Sequence, residues 1–366
     1  MSGTEKHLRA SSSVGDWLKH SVGGPLIREL LAAGGMDETS LAPVRTLPLE
    51  RLVELSQGAL PQAAVDALVL SANGGQPPPE ADDEEADSNE VALDNRSRSG
   101  PQVAVVIGVG GMGQAIARRE GGGRKLVLAD FDAAGLEVFA NTLRDEGYDV
   151  TTTVVDVASR ESVVALARLC SDLGAVTSVV HTAGLSPSQA PVEAIFAVDL
   201  LGVALVIEEF EQVIAAGGAG VIISSSSAYG PRLDAGTEQA LATTSTDELL
   251  ALPAVVAISN PGEAYPLSKR GNQLRVQAAA GAWGARGARL NSVSPGIIST
   301  PMGRRELEGE YGDVMRAMIQ GSGAGRIGTP SDIADAVAFL LGPTASLITG
   351  VDLLVDGGVI ASGRSL

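Results

Sequence analysis

The alternation of apolar and polar positions divides the chain into three stretches. Over residues 14–70 apolar residues recur at helical spacing, as in VGDWLKHSVGGPLIRELLAAGG and LPLERLVELSQGALPQAAVDALVL, with Gly-Gly and Pro as interruptions. The pattern predicts two or three short helices within a small N-terminal segment, residues 1–75. Such a segment is short for an independent domain and is expected to dock on the main body or on a protein partner. From ANGGQPPPEADDEEADSNE to Ser99, proline, glycine and carboxylates take over. That composition cannot bury enough apolar area to offset ordering entropy, so residues 76–100 read as a flexible acidic linker. From Val103 onward short β-branched runs alternate with helical stretches: VAVVIG, KLVLAD, VTTTVVD, SVVHTAG, GVIISSS, RLNSVSPG and VDLLVDGG. Continuous apolar strands separated by amphipathic helices are what a parallel sheet covered on both faces requires. Residues 101–366 are therefore expected to form an α/β domain, a doubly wound parallel sheet of Rossmann-like type.

Composition narrows the function. The 366 residues carry a formal net charge of −18, which opposes binding to nucleic acid or anionic lipid. No apolar run reaches bilayer length, and the opening MSGTEKHLRASSS lacks the apolar segment of a secretory signal. The single Cys170, on an amphipathic stretch, reads as a small core residue, and a reducing cytoplasmic location is expected. With only His7, His20 and His181 available, no metal site is expected.

Two spacings carry chemistry. VVIGVGGMGQAIARR places Gly108, Gly110 and Gly113 as G-x-G-x-x-G between a strand and a helix, where glycine lets backbone N–H groups approach a pyrophosphate. Asp130 ends the next strand, twenty residues after Gly110, where a carboxylate accepts hydrogen bonds from both ribose hydroxyls and repels a 2′-phosphate. NAD is therefore expected over NADP. Asp156 ends the third strand at the same edge, placed either to approach the adenine or to cap a helix. The second spacing is Tyr265 and Lys269 in EAYPLSKRGN, one helical turn apart. It fits an amphipathic helix start with Pro266 at its first position, and equally a proton-transfer pair.

Over about residues 103–360 the chain resembles the classical short-chain dehydrogenase/reductase family. The motifs are HTAG at 181–184, where the family usually has N-N-A-G; IISSSSAYG, like its serine-bearing strand and turn; AYPLSK, matching Y-x-x-x-K; RLNSVSPGIISTPM; and GRIGTPSDIADAVAFLL with ITGVDLLVDGG. The resemblance implies an NAD-dependent oxidoreductase interconverting a secondary alcohol and a ketone on a small molecule, working as a homo-oligomer. Tyr265 would be the general acid/base and Lys269 its electrostatic helper and ribose contact. Ser227, three residues before Gly230, would bond the substrate oxygen, with Ser225 and Ser226 as alternatives. The implied cofactor site comprises Gly108, Gly110, Gly111, Met112, Gly113, Asp130, Asp156, Val157, Ala183, Gly184, Tyr265, Lys269, Pro295, Gly296, Ile298 and Thr300.

Four features depart from the family pattern. The glycine loop is one residue short, and His181 and Thr182 replace the asparagines. Asp199 stands where an active-site asparagine is usual. The Ser–Tyr segment is long, as in members similar to bacterial hydroxysteroid dehydrogenases and carbonyl reductases. That insertion is expected to hold one short helix with a Ser245–Glu248 capping box and to wall or cover the substrate pocket. Two rival functions are an epimerase or dehydratase using the same Tyr–Lys pair, and a non-catalytic nucleotide sensor or scaffold.

Overall fold

The computed structural model describes residues 8–33, 37–38, 41, 44–45, 47–56, 60–78 and 100–363. His7 and most of the expected linker, residues 79–99, lie outside the described residues. The chain forms two units, Met1–Asn95 and Arg96–Leu366.

Among the described residues of the first unit four helices, Val14–Lys19, Gly23–Ala33, Arg51–Leu55 and Gln62–Ala72, occupy the stretch where two or three were expected. They enclose their own cluster, centred on the fully buried Val14, Trp17 and Val65. Ser13 caps the first helix by accepting from the Asp16 N–H, and Trp17 Nε1 donates to the Arg9 carbonyl at 3.0 Å.

The second unit is built on seven parallel strands: β1 (Gln102–Ile107), β2 (Lys125–Asp130), β3 (Asp149–Val154), β4 (Ala175–His181), β5 (Ile214–Ile223), β6 (Arg289–Pro295) and β7 (Asp352–Val355). Their order is β3-β2-β1-β4-β5-β6-β7, the expected doubly wound sheet. Strand β1 explains why the apolar runs are continuous. Val103, Val105 and Ile107 face one side with Val163, Phe210 and Trp283, while Ala104 and Val106 face the other with Ile116, Leu136 and Ile333. Each large aliphatic side chain buried in this way stabilises the fold by about 1.5–3 kcal/mol. Strand order reverses between β1 and β4, so a crevice opens at the carboxyl ends of these strands.

The helix carrying Tyr265 and Lys269 runs from Pro261 to Ala285. Its start differs from the sequence expectation: Asn260 is the N-cap, Pro261 takes the first helical position, and Pro266 lies inside the helix. The insertion between β5 and this helix also differs. It holds a helix at Ala235–Thr243, a 3₁₀ turn at Thr246–Ala251 and a short helix at Pro253–Val256. Ser245 and Glu248 bond each other at 3.0 Å instead of forming a capping box, because the Ser245 side chain bonds no backbone N–H. Leu241, Leu249 and Val255 pack with Ile195, Leu200, Ala264 and Leu267, so the insertion buttresses the Tyr265 helix. No described helix is long and apolar enough to cross a membrane.

Candidate active site

The crevice at the β1/β4 switch point is a cleft of about 880 Å³. Gly108, Gly110, Gly111, Met112, Asp130, Asp156, Val157, Ala183, Gly184 and Thr300 line it, as the sequence expectation placed them. Gly108 ends β1 with φ +91°, a left-handed conformation that a side chain resists, and a Cβ there would overlap the Ala183 backbone. Gly113 presses against the Gly108 carbonyl, which seats the Gly111–Glu120 helix on the strand. Gly110 caps that helix and has nothing within 4 Å of the place a Cβ would occupy. This open cradle at a helix N-terminus fits the pyrophosphate of a dinucleotide.

Asp130 is fixed at the end of β2. One carboxylate oxygen accepts from the Val109 N–H at 2.6 Å and the other from the Asp132 N–H at 3.0 Å. Asp156 accepts from the Ala158 N–H at 3.0 Å, and the following helix is capped by Ser159, so Asp156 is free of the capping role. Thr182, in place of an asparagine, donates from its hydroxyl to the Gly108 carbonyl at 2.6 Å and ties β4 to the glycine loop. Sequence reading passed over Phe131, which stands 75% exposed beside Asp130 on the cleft wall.

At the other end of the cleft Gly184 connects two groups of residues. A Cβ added there would stand 3.1 Å from Lys269 Nζ and 3.4 Å from each Asp199 carboxylate oxygen. Asp199 lies in a π-helical turn, Phe196–Leu201, a distortion frequent at functional sites. Its Oδ1 accepts from the Leu185 N–H at 2.7 Å, and its Oδ2 lies 3.4 Å from Lys269 Nζ in an ion pair that is almost wholly buried. Burial pushes the Asp199 carboxyl up, against the pull of Lys269. Burial pushes the Lys269 ammonium down, yet the Asp199 carboxylate and the Tyr265 phenol outweigh it and leave the pKa raised. Lys269 Nζ is 5.3 Å from the centroid of the Tyr265 ring.

For Tyr265 the balance differs from the sequence expectation. Burial pushes its phenol up, Lys269 draws it down, and Asp199 pushes it up again by offsetting part of the ammonium charge, so the net direction is upward. The serine hydroxyls near Tyr265 form a pair of which Ser227 is one member. The Ser225 hydroxyl acts on the Tyr265 phenol and draws its pKa down. Ser227 donates from its own hydroxyl to Ser225 Oγ at 3.0 Å. Strand β5 ends at Ile223 and a 3₁₀ turn begins at Ser226, with Ser225 as its cap, accepting from the Ser227 N–H.

Pro295 ends β6 and Gly296 and Ile298 follow it, and none of the three lines the cleft; Thr300 does, and its hydroxyl caps the next helix by accepting from the Gly303 N–H at 3.0 Å. His181, in register between Ile107 and Ile222, is fully buried with neither ring nitrogen bonded, and burial together with Lys269 lowers its pKa to about 3. Cys170 is buried in the core, with its thiol pushed up to about 12 by burial, an inert group as expected. Among the described residues no cluster of three metal-ligating side chains occurs.

Known proteins match this architecture. A family model described as short chain dehydrogenase matches residues 102–239, and one described as enoyl-(acyl carrier protein) reductase matches residues 248–360. The short-chain dehydrogenase/reductase bsc3 of Alternaria brassicicola is 41% identical over 260 residues, covering 70% of this chain and 95% of that protein. The cis-4-hydroxycyclohexanecarboxylate dehydrogenase of Sinomonas cyclohexanicum is 31% identical, covering 71% and 97%. A solved structure of levodione reductase superposes with a TM-score of 0.58 at 25% identity, covering 72% of this chain and 98% of that one. With a parallel sheet in this order, a glycine loop at its switch point and a Tyr–Lys helix beside it, the chain belongs to the short-chain dehydrogenase/reductase family of nicotinamide-dependent oxidoreductases.

Proposed function

We propose that the protein interconverts a secondary alcohol and a ketone, with NAD as its cofactor, Tyr265 as general acid/base and Ser225 as the hydroxyl that bonds the substrate oxygen. The observation that carries this reading is the buried Lys269 ammonium, 5.3 Å from the Tyr265 ring centroid and beside Gly184 on the cleft, with the Ser225 hydroxyl drawing the Tyr265 phenol down. When bound, the nicotinamide ring supplies the hydride acceptor or donor. In the oxidative direction Tyr265 takes the proton of the alcohol, and the Ser225 hydroxyl donates to the oxygen on which charge develops. Lys269 favours the phenolate, and Asp199 keeps the buried lysine charged while reducing its field at Tyr265.

The preference for NAD is supported by the acidic wall of the cleft. Asp130, Asp132 and Asp156 line it on the β2 and β3 side, and its one lining cation, Arg305, lies beyond Thr300 on the following helix. A 2′-phosphate would meet like charge at Asp130. The assembly usual in the family leads to a homo-oligomer, which light scattering of the intact chain would measure. For the N-terminal helical segment, residues 1–75, we propose a role apart from the chemistry, as a docking element for a protein partner.

The test of the reaction is absorbance of NADH while the protein is incubated with NAD and a panel of secondary alcohols that includes cyclic and steroid alcohols. Turnover of at least one, with NAD bound about tenfold or more tighter than NADP, an effect of about 1.4 kcal/mol, is the expected result. Equal affinity for both cofactors would remove the role given to Asp130.

A further inference from the structure

Strand β6 places Leu290, Ser292 and Ser294 on the face covered by the Pro261–Ala285 helix. Leu290 joins the apolar core there, but the next two positions are fully buried hydroxyls. Both bond Asp352, the first residue of β7, which lies in register with Ser292. Asp352 Oδ1 accepts from Ser292 Oγ at 2.6 Å and from Ser294 Oγ at 2.9 Å. Its Oδ2 accepts from the Tyr229 hydroxyl at 2.7 Å and from Gln273 Nε2 at 3.0 Å, and the Gln273 amide also reaches Ser294 Oγ at 3.0 Å.

These four donors are neutral. A partly buried carboxylate held in this way carries a desolvation cost that a packed apolar side chain would avoid, so fold stability alone does not explain it. Its donors come from three separate segments. Tyr229 closes the 3₁₀ turn that starts next to Ser225. Gln273 is one helical turn beyond Lys269 on the same helix. Ser294 immediately precedes the Pro295-Gly296 turn that leads to Thr300. Charge-assisted hydrogen bonds to a single carboxylate are short and directional, and here they tie these segments to one point on the sheet.

We propose that Asp352 is a positioning residue that fixes the distance between Ser225 and the Tyr265–Lys269 pair, so that both hydroxyls converge on one substrate oxygen. The proposal rests on the reading of Tyr265 given above. Misplacement of a catalytic group by about 1 Å is enough to lower a rate by about a hundredfold, so small shifts at this hub are measurable.

The test uses the intact chain with a substrate found in the alcohol panel, and compares Asp352→Asn, Tyr229→Phe, the double variant and Tyr265→Phe. Asparagine turns one acceptor into a donor that opposes the Gln273 amide; phenylalanine removes only the Tyr229 hydroxyl. Both single variants are expected to lower kcat, Asp352→Asn by about tenfold or more, with the Kd for NAD within about threefold of the parent. The double variant should be no slower than Asp352→Asn alone, because both changes act through one bond. Hydrogen exchange of residues 225–230 should be faster in both single variants, a readout independent of substrate. Unchanged kcat in both variants while Tyr265→Phe is inactive would overturn the positioning role and leave the chemistry standing. Parallel losses of NAD binding, thermal stability and kcat would also overturn it, as a general structural role. An active Tyr265→Phe enzyme would remove both the proposal and the reading beneath it. Should Asp352→Asn fail to fold, Tyr229→Phe decides by the same kcat and exchange criteria.

Discussion

Replacing His181 by asparagine, the residue type of the related N-N-A-G motif, removes an imidazole that is wholly buried at the carboxyl end of β4 with neither ring nitrogen bonded. Burial first, and the charge of Lys269 second, lower its pKa from 6.5 to about 3. The unfolded chain takes up this proton as pH falls below about 6.5, whereas the folded chain does not until about pH 3. The neutral imidazole therefore contributes stability that is intact above the unfolded value and lost as pH falls through that window. The slope is about 1.4 kcal/mol per pH unit, which amounts to about 2 kcal/mol between pH 7 and pH 5. Urea unfolding at fixed protein concentration measures it. The chain has two tryptophans, so a Trp17→Phe background leaves the buried Trp283 as the reporter of the sheet unit. Carboxylates titrate alike in parent and His181→Asn, so the difference between them isolates the imidazole. The stability of the parent relative to the variant is expected to fall by about 2 kcal/mol over those two units. A difference that does not change with pH would refute the buried neutral histidine.

Gly110→Ala meets no atom within 4 Å, so the melting temperature should hold while the Kd for NAD rises about tenfold or more; Gly113→Ala, which collides with the Gly108 carbonyl, should lower both. Calorimetry and NAD titration separate the two, and unaltered NAD binding in Gly110→Ala would contradict the pyrophosphate cradle. Because Asp199 raises the Tyr265 pKa, Asp199→Asn should move the falling limb of the pH–rate profile for ketone reduction to lower pH; an unmoved or raised limb would contradict the electrostatics of the triad. A chain beginning at Ser99 should fold and bind NAD, as judged by circular dichroism and titration, and an insoluble product would mean that residues 14–70 complete the core of the sheet unit.

The sheet was legible because its strands are buried on both faces and read as unbroken apolar runs; KLVLAD is β2 residue for residue. The first half of β5, Ile214–Gly218, was not, since IAAGG carries no β-branched run after its isoleucine, and only Ile214 within it pairs with β4, opposite Val176, before a register shift. The glycine loop and Asp130 could be placed from spacing, which is a local property. The serine could not. Four consecutive serines offer the same chemistry, and the choice depends on β5 ending at Ile223 and the turn starting at Ser226, a tertiary outcome. His181 and Asp352 were likewise illegible in their roles, because burial of the one and the four donors of the other come from elements distant in sequence. The Ser245–Glu248 spacing matched a capping box, but the 3₁₀ turn there leaves the two side chains bonded to each other.

The central claim is that Tyr265 carries the proton. Tyr265→Phe removes one oxygen and keeps the ring, with its packing against the apolar residues of the insertion and its neighbours and its face toward Lys269, so folding and NAD binding should stay close to the parent. Steady-state NADH formation with the best alcohol of the panel should fall by about a hundredfold or more, the usual scale of general acid/base catalysis. Turnover within about threefold of the parent, with NAD binding intact, would contradict the account and leave Tyr265–Lys269 as no more than neighbours on one face of a helix.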